Sequence, residues 1–422
     1  MSNTDKCVSA STKFEMADIL VSRTDKRGVI QTANALFQSV SGHPWEKLRH
    51  APHKVIRHQD MPKGVFWLFW TMLQQGDPIG AFVKNKSENG EHYWVFAIAT
   101  PLDDGYMSVR LKPQGPLFET IVKSYEKLLA AEQSKEVTPE ESAAMLVEHI
   151  KDLGFRDYKA FMTKAVTEQI GMRDQELGNP TNVMIAHMAK AMEAWEKVSV
   201  EIHKTIEAFA KFERLPVNMR IQATHLSDAG NAFGVIAGNF TTLTGQIKGL
   251  ISSLLKSGTA LESALLEGLF LTCVTQLQTE VVDVFRHEVH QMDGVDKDTE
   301  VSIMQAQNQR YNAKSTEGLK VSASQLDGFN SIFASIKTLH SGISVMRVTA
   351  DIEISQIQNL QTASLSAIVE ELEKFLQTEG DRLTLMVDGA SLVQHEIKCA
   401  LEVNAKNNKS LDAYSGGLLK AS

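Results

Sequence analysis

Cysteine is scarce in this chain: three thiols in 422 residues, Cys7, Cys273 and Cys399, with no CxxC pair among them. Isolated thiols exclude a disulfide framework and suit a reducing compartment. Long apolar runs are missing too. The nearest approach to the ~18 residues that a membrane helix needs, residues 261–274, is interrupted by Glu262 and Glu267. The opening run M-S-N-T-D-K-C holds no apolar segment of the kind found in a secretory signal. These absences lead to the expectation of a cytoplasmic protein with no transmembrane segment. Positive charge is in deficit, 43 Lys and Arg against 51 Asp and Glu, for a formal net charge of -8. That excludes a general nucleic-acid binder, whose affinity rests on a basic surface. Catalytic signatures are lacking as well. There is no glycine-rich ATP lid and no G-G-D-E-F or E-A-L run, and the H-E pair His395-Glu396, near the C-terminus, is followed by no nucleotide-binding segment. The expectation is a protein that is not an enzyme.

What is present falls into two halves with different patterning. Residues 19–24 form a strand pattern, Asp25-Lys-Arg-Gly28 a turn, and residues 29–32 the returning strand. A short helix follows over 34–40 and stops at Ser41-Gly42. Strand patterns at 80–86 and 92–100 flank Asn89-Gly90, a hairpin-turn signal, and a fifth strand covers 106–111. This order predicts one five-stranded antiparallel sheet with short helices, an α+β domain. Beyond Pro116 prolines and strand patterns nearly vanish. Apolar residues then recur at steps of three and four, as in Phe118, Ile121, Tyr125 and Leu128, or Ile368, Leu372 and Leu376. That spacing is the signature of amphipathic helices, which must pair as hairpins or a bundle to bury their stripes. Breaks are expected at 133–139, 178–180 and 292–298. A faint internal repeat, M-R-[IV]-x-A, occurs at Met219 and again at Met346.

The densest chemistry lies at 52–62, P-H-K-V-I-R-H-Q-D-M-P, followed by the aromatic helix F-W-L-F-W at 66–70. A charged loop leading into an aromatic helix suits a pocket for a flat, charged cofactor. Asp60 also has the position of an N-cap for the helix starting near Pro62. Trp67 and Trp70, three apart, equally suit core packing. His43, His50, His53, His58 and His92 match no zinc spacing and no cysteine joins them, so no metal site is expected.

T-D-K-R-G-V-I-Q-T-A-N-A-L-F-Q-S-V-S-G-H, then P-H-K-V-I-R-H-Q-D-M-P, V-K-N-K-S-E-N-G-E-H-Y-W-V and G-Y-M-S-V-R closely resemble the PAS domain of bacterial aerotaxis receptors. The resemblance covers about 100 residues, from 14 to 113. It implies non-covalent FAD binding and redox sensing, with Arg57, His58, Asp60 and Trp70 at flavin-contacting positions and Asn34 and Asn85 near the pocket. Some related PAS domains bind haem, and His53 or His58 would be its ligand here. The chain departs from the family at Gln59, where proline is usual, and at Ile79, where tryptophan is common.

Residues 215–246 resemble the hairpin tip of methyl-accepting chemotaxis receptors, with Asn218, Ile221, Ala223, Gly230, Phe233, Val235, Ile236 and Ala237 on matching positions. The family's charged signature is worn: Gln222 and His225 stand where Glu and Arg are usual, and Asp228 lies near the second Glu position. The expected organisation is a disordered tail (1–13), the PAS domain (14–113), connecting helices (114–177) and a helical signalling region (178–422) with its tip near 226–231. The resemblance implies a homodimer and a chemotaxis kinase or coupling protein as partner. A cofactor-free PAS scaffold for signalling partners is the alternative reading.

Overall fold

The computed structural model describes residues 14–134, 137–224, 230–288, 294–356 and 363–418. The expected tail at 1–13 and most of the expected tip at 226–231 lie outside them. The chain divides into two compact units, one of Met1–Ile185 with Leu266–Thr316, the other of Ala186–Leu265 with Glu317–Ser422.

The first unit holds the sheet. Its strands are β1 (Leu20–Asp25), β2 (Ile30–Ala33), β3 (Ile79–Lys86), β4 (His92–Pro101) and β5 (Gly105–Leu111). All neighbours are antiparallel, in the order β2-β1-β5-β4-β3. The predicted strands are all present, and Gly28 and Gly90 take the positive φ (75° and 90°) that their turns require. Helix α1 (Ala35–Ser41) is capped by the Asn34 side chain and closed by Gly42 in the left-handed conformation. A short α2 (Trp45–Leu48) and a turn of 3-10 helix at His53–Ile56 lead to α3 (Lys63–Gln74). Asp60 does not cap α3. Pro62 stands at the cap position without a side-chain bond, and the free N–H groups of Lys63 and Gly64 donate instead to the Glu132 carboxylate at 3.0 and 3.1 Å.

Both faces of the sheet are covered, so the strands are buried nearly end to end. On one face pack α4 (Pro116–Ser134) and α6 (Tyr158–Leu177), with α5 (Pro139–Asp152) set against α3. Phe82 meets Phe96, Phe118 and Phe161 with ring centroids 4.9, 5.4 and 6.4 Å away, and the Tyr158 hydroxyl donates to the Gly80 carbonyl. The other face, under α3 and the 3-10 turn, encloses the site described below. The unit is completed by parts of two long helices, α9 (Gly230–His287) and α10 (Lys297–Gln356).

The second unit is all-helical. It contains most of α7 (Val183–Phe212), α8 (Leu215–Ala223), α11 (Ala363–Leu418) and the remaining stretches of α9 and α10. Aromatic contacts bind it together: Phe212 stacks on Phe375 at 3.7 Å and 7°, and Trp195 meets Phe329 edge-on at 5.3 Å. The two copies of the M-R-[IV]-x-A motif share one core cluster. Met219 and Ala223 of α8 and Ala350 of α10 are buried in it with Phe233, Ile236, Ala237, Leu365 and Val369, and Met346 packs against it. The residue spacing that made the two motifs alike thus serves one packing role. Among the described residues one helix, Asn231–His287, is long and apolar enough to cross a membrane by length and composition, and 61% of its most apolar window is buried within the protein.

Candidate functional site

Between the sheet and α3 lies a cavity of about 240 Å³. Strand alternation decides which side chains reach it. Thr24 comes from β1, Val83 and Asn85 from β3, Ala97 and Ala99 from β4, and Tyr106, Ser108 and Arg110 from β5. Helix α3 contributes Phe66, Phe69, Trp70 and Leu73, and the 3-10 turn contributes His53 and Lys54. Small Ala97 and Ala99 leave room above the sheet, and the aromatic rings of α3 form the facing wall. Trp70 sits edge-on to Tyr106 at 5.5 Å. Its indole covers Gly28, where a Cβ would stand 2.8 Å from the ring tip. The glycine therefore serves the turn and the close approach of Trp70 together.

Arg57 lies in the cavity wall, its guanidinium 3.8 Å from the centroid of the Phe66 ring and donating to the Met61 carbonyl at 3.2 Å. Its backbone bridges Asn85, so the loop runs beside β3 like an added strand. In such an extended segment the next side chain turns to the opposite side. His58 accordingly lies off the cavity, 5.7 Å from His92 ring to ring, and accepts from the backbone N–H of Asp60. Burial, then Lys84, pushes its pKa down. Asp60 also lies off the cavity and pairs with Lys84 at 2.8 Å, which holds its carboxyl below the usual range. Asn34 is buried elsewhere, accepting from Val21 and Phe37 N–H groups and donating to the Ile19 carbonyl. Of the six residues marked in the sequence, the fold brings Arg57, Trp70 and Asn85 together, sets His58 and Asp60 beside them as braces, and uses Asn34 to tie β1 to the start of α1. Ile79 is fully buried and does not line the cavity.

The cavity also contains groups that the sequence motifs did not single out. Arg110 is 3% exposed, and its Nη2 donates to His53 Nε2 at 2.6 Å. Burial lowers the Arg110 pKa to about 10, which still leaves it charged at neutral pH. The His53 pKa is pushed well down by burial and then by Arg110. Among the described residues the lining holds Arg27, Lys54, Arg57 and Arg110 and no Asp or Glu. The Oγ of Ser108 is buried with no partner of hydrogen-bond geometry, and the Nδ2 of Asn85 has only a loose contact with the hydroxyl of its cross-strand neighbour Tyr93. Buried unpaired donors of this kind cost about 1–3 kcal/mol each unless a ligand or water meets them. The strand alternation of G-Y-M-S-V-R could have found Ser108 and Arg110, since both lie on the Tyr106 face. His53 depended on the turn geometry.

No family model matches the chain. The aerotaxis receptor of Escherichia coli (strain K12) is 38% identical over 123 residues, 28% of this chain and 24% of that receptor. The match thus spans about a quarter of the relative's length. A PAS domain from Colwellia psychrerythraea aligns with 14% identity and a TM-score of 0.21, covering 22% of this chain and 85% of its own. A light-oxygen-voltage domain, from work in which a flavin analogue sheds light on its mechanism, aligns with 16% identity and a TM-score of 0.23, covering 26% and 86%. From the receptor alignment and from the antiparallel sheet that encloses the cavity, the N-terminal domain is a PAS domain of the aerotaxis-receptor type.

Proposed function

We propose that the chain is a signal-transduction receptor that senses redox state through a flavin, FAD, held in the PAS cavity. The observation that carries this reading is the cavity itself. It combines an aromatic wall (Phe66, Phe69, Trp70, Tyr106), an acid-free basic lining, an unpaired hydroxyl at Ser108 and the weakly held amide of Asn85. Those features fit a flat heteroaromatic ring with carbonyl acceptors and a phosphate tail. When bound, the flavin would supply reversible electron uptake. The protein's part is to stack the ring against Trp70, to meet its polar edge with Asn85 and Arg57, and to keep its surroundings basic. Haem fits less well, because the Nε2 of His53 already accepts from Arg110 and lies 3.3 Å from the Ser22 hydroxyl.

The signal would leave through the sheet. Within the same unit, Glu300 of α10 binds Arg23 on β1 and Thr32 on β2, and Gln307 of α10 donates to Thr100 on β4. A shift of the sheet therefore bears directly on a helix that continues to Gln356. A second copy of the chain and a chemotaxis kinase or its coupling protein are the partners proposed for the helical unit. The absorption spectrum of the purified full chain, oxidised and then reduced, tests the reading. Flavin bands lost in Trp70→Ala and Arg57→Ala support it. A Soret band, or a colourless protein that takes up no FAD, overturns it.

A further inference from the structure

Arg110 is a buried cation without a counterion. Among the described residues it forms no ion pair, and its guanidinium, with five N–H donors, makes two hydrogen bonds, to the Ser108 carbonyl and to His53. The Phe37 ring 5.2 Å away adds a cation–π contact. A structural role would be complete if a carboxylate closed the network, and here none does. Taking a charge out of water costs several kcal/mol in a protein interior, so an anion entering this cavity would be strongly favoured.

We propose that Arg110, with His53 bound to it, makes the cavity select the reduced, anionic state of its ligand and so sets the redox poise of the sensor. This rests on the flavin reading above. Free flavin taking up two electrons and one proton becomes a monoanion, and in the test dithionite supplies the electrons. Next to a low-dielectric wall carrying an unpaired guanidinium, that negative charge is stabilised more than the neutral oxidised ring. His53 accepts from Arg110 and holds the guanidinium in place, so it is a positioning residue.

The experiment measures the midpoint potential of bound FAD in the full chain, and the affinities of oxidised FAD, reduced FAD and riboflavin for wild type, Arg110→Gln, Arg110→Lys and His53→Gln. The wild-type potential is expected above that of free FAD. Arg110→Gln should weaken reduced FAD at least tenfold more than oxidised FAD, lowering the potential by ~30 mV for each tenfold in a two-electron couple. Arg110→Lys should retain most of the elevation. If instead Arg110→Gln weakens both states of FAD equally and leaves riboflavin unchanged, the guanidinium serves the phosphates and the proposal fails. A wild-type potential at or below that of free FAD also overturns it, whether or not the variants fold. A wild-type chain that binds no flavin at all removes the flavin reading, and this inference with it.

Discussion

Arg23 on β1 grips Glu300 on α10 with its Nε and Nη2, at 3.0 and 2.7 Å, across 277 residues of sequence. Glu300 is 3% exposed and also accepts from Thr32 on β2. One carboxylate therefore ties two strands of the sensory sheet to a long helix. Arg23→Ala leaves the buried Glu300 carboxylate with only the Thr32 hydroxyl and should destabilise the first unit by ~3–5 kcal/mol, whereas Glu300→Ala should cost less because Arg23 keeps its pair with Asp104 at 3.1 Å. The double variant Arg23→Ala/Glu300→Ala should cost clearly less than the sum of the two single changes. Urea unfolding followed by tryptophan fluorescence gives the cycle, and strict additivity would refute the coupling.

Gly28 and Trp70 predict a steric effect. Gly28→Ala needs a positive φ from a residue with a Cβ and drives that Cβ against the indole. A loss of ~1–3 kcal/mol in stability is expected, together with weaker flavin retention because Trp70 must shift. Gly90, also at positive φ but with open space around it, should lose stability on change to Ala without altering the chromophore. Equal chromophore loss from both variants would contradict this placement.

His53 predicts a pH dependence with a definite sign. Its folded pKa lies well below the ordinary value of 6.5 because burial and Arg110 oppose its charge. The unfolded chain thus binds the proton more readily. The stability His53 contributes is fully present above pH 6.5 and is lost as pH falls below that value toward the folded pKa. His58 and His92 are shifted the same way, first by burial. Chemical denaturation of the full chain between pH 5 and 8 should show stability rising with pH, with a shallower slope in His53→Gln. An unchanged slope would mean that His53 binds its proton equally in the folded and unfolded chains, with no downward shift on folding.

The braces around the cavity should behave differently from its walls. Asp60 is 45% exposed, so its bond to Lys84 is largely screened by water. Asp60→Asn is expected to cost less than about 1 kcal/mol in stability and to weaken flavin binding less than Arg57→Ala does. Titration of the apo-protein with FAD ranks the two, and a larger effect from Asp60 would place the carboxylate on the ligand.

In the helical unit, Phe212→Ala removes a ring stacked on Phe375 and set against Phe240. A loss of ~3–5 kcal/mol is expected, measured as the thermal unfolding of helix content. A change within ±0.5 kcal/mol would show that the stacked pair is not part of the packed core.

Much of this was legible before any coordinates. The five strands, the Gly42 stop and the helix breaks near 133–139 and 178–180 follow from short-range chemistry: alternation and backbone freedom at glycine. Trp70, Arg57 and Asn85 could be marked by motif. The local signals misled where two chemistries compete at one residue. Asp60 has the chemistry of a helix cap, yet Lys84 on β3 attracts its charge, and Glu132, from a helix far along the chain, takes the N–H groups at the start of α3.

By itself the sequence determined which segments become strands and helices, because periodicity and turn chemistry act over a few residues. Only the tertiary structure decided that Arg110 faces His53 without a counterion, that His58 turns away from the cavity one residue after Arg57, and that Glu300 meets Arg23. The two pairings join residues 57 and 277 positions apart, and the turn of His58 separates two neighbours in the chain. Long-range partners and the facing of a side chain depend on how whole elements pack, and no local pattern encodes that.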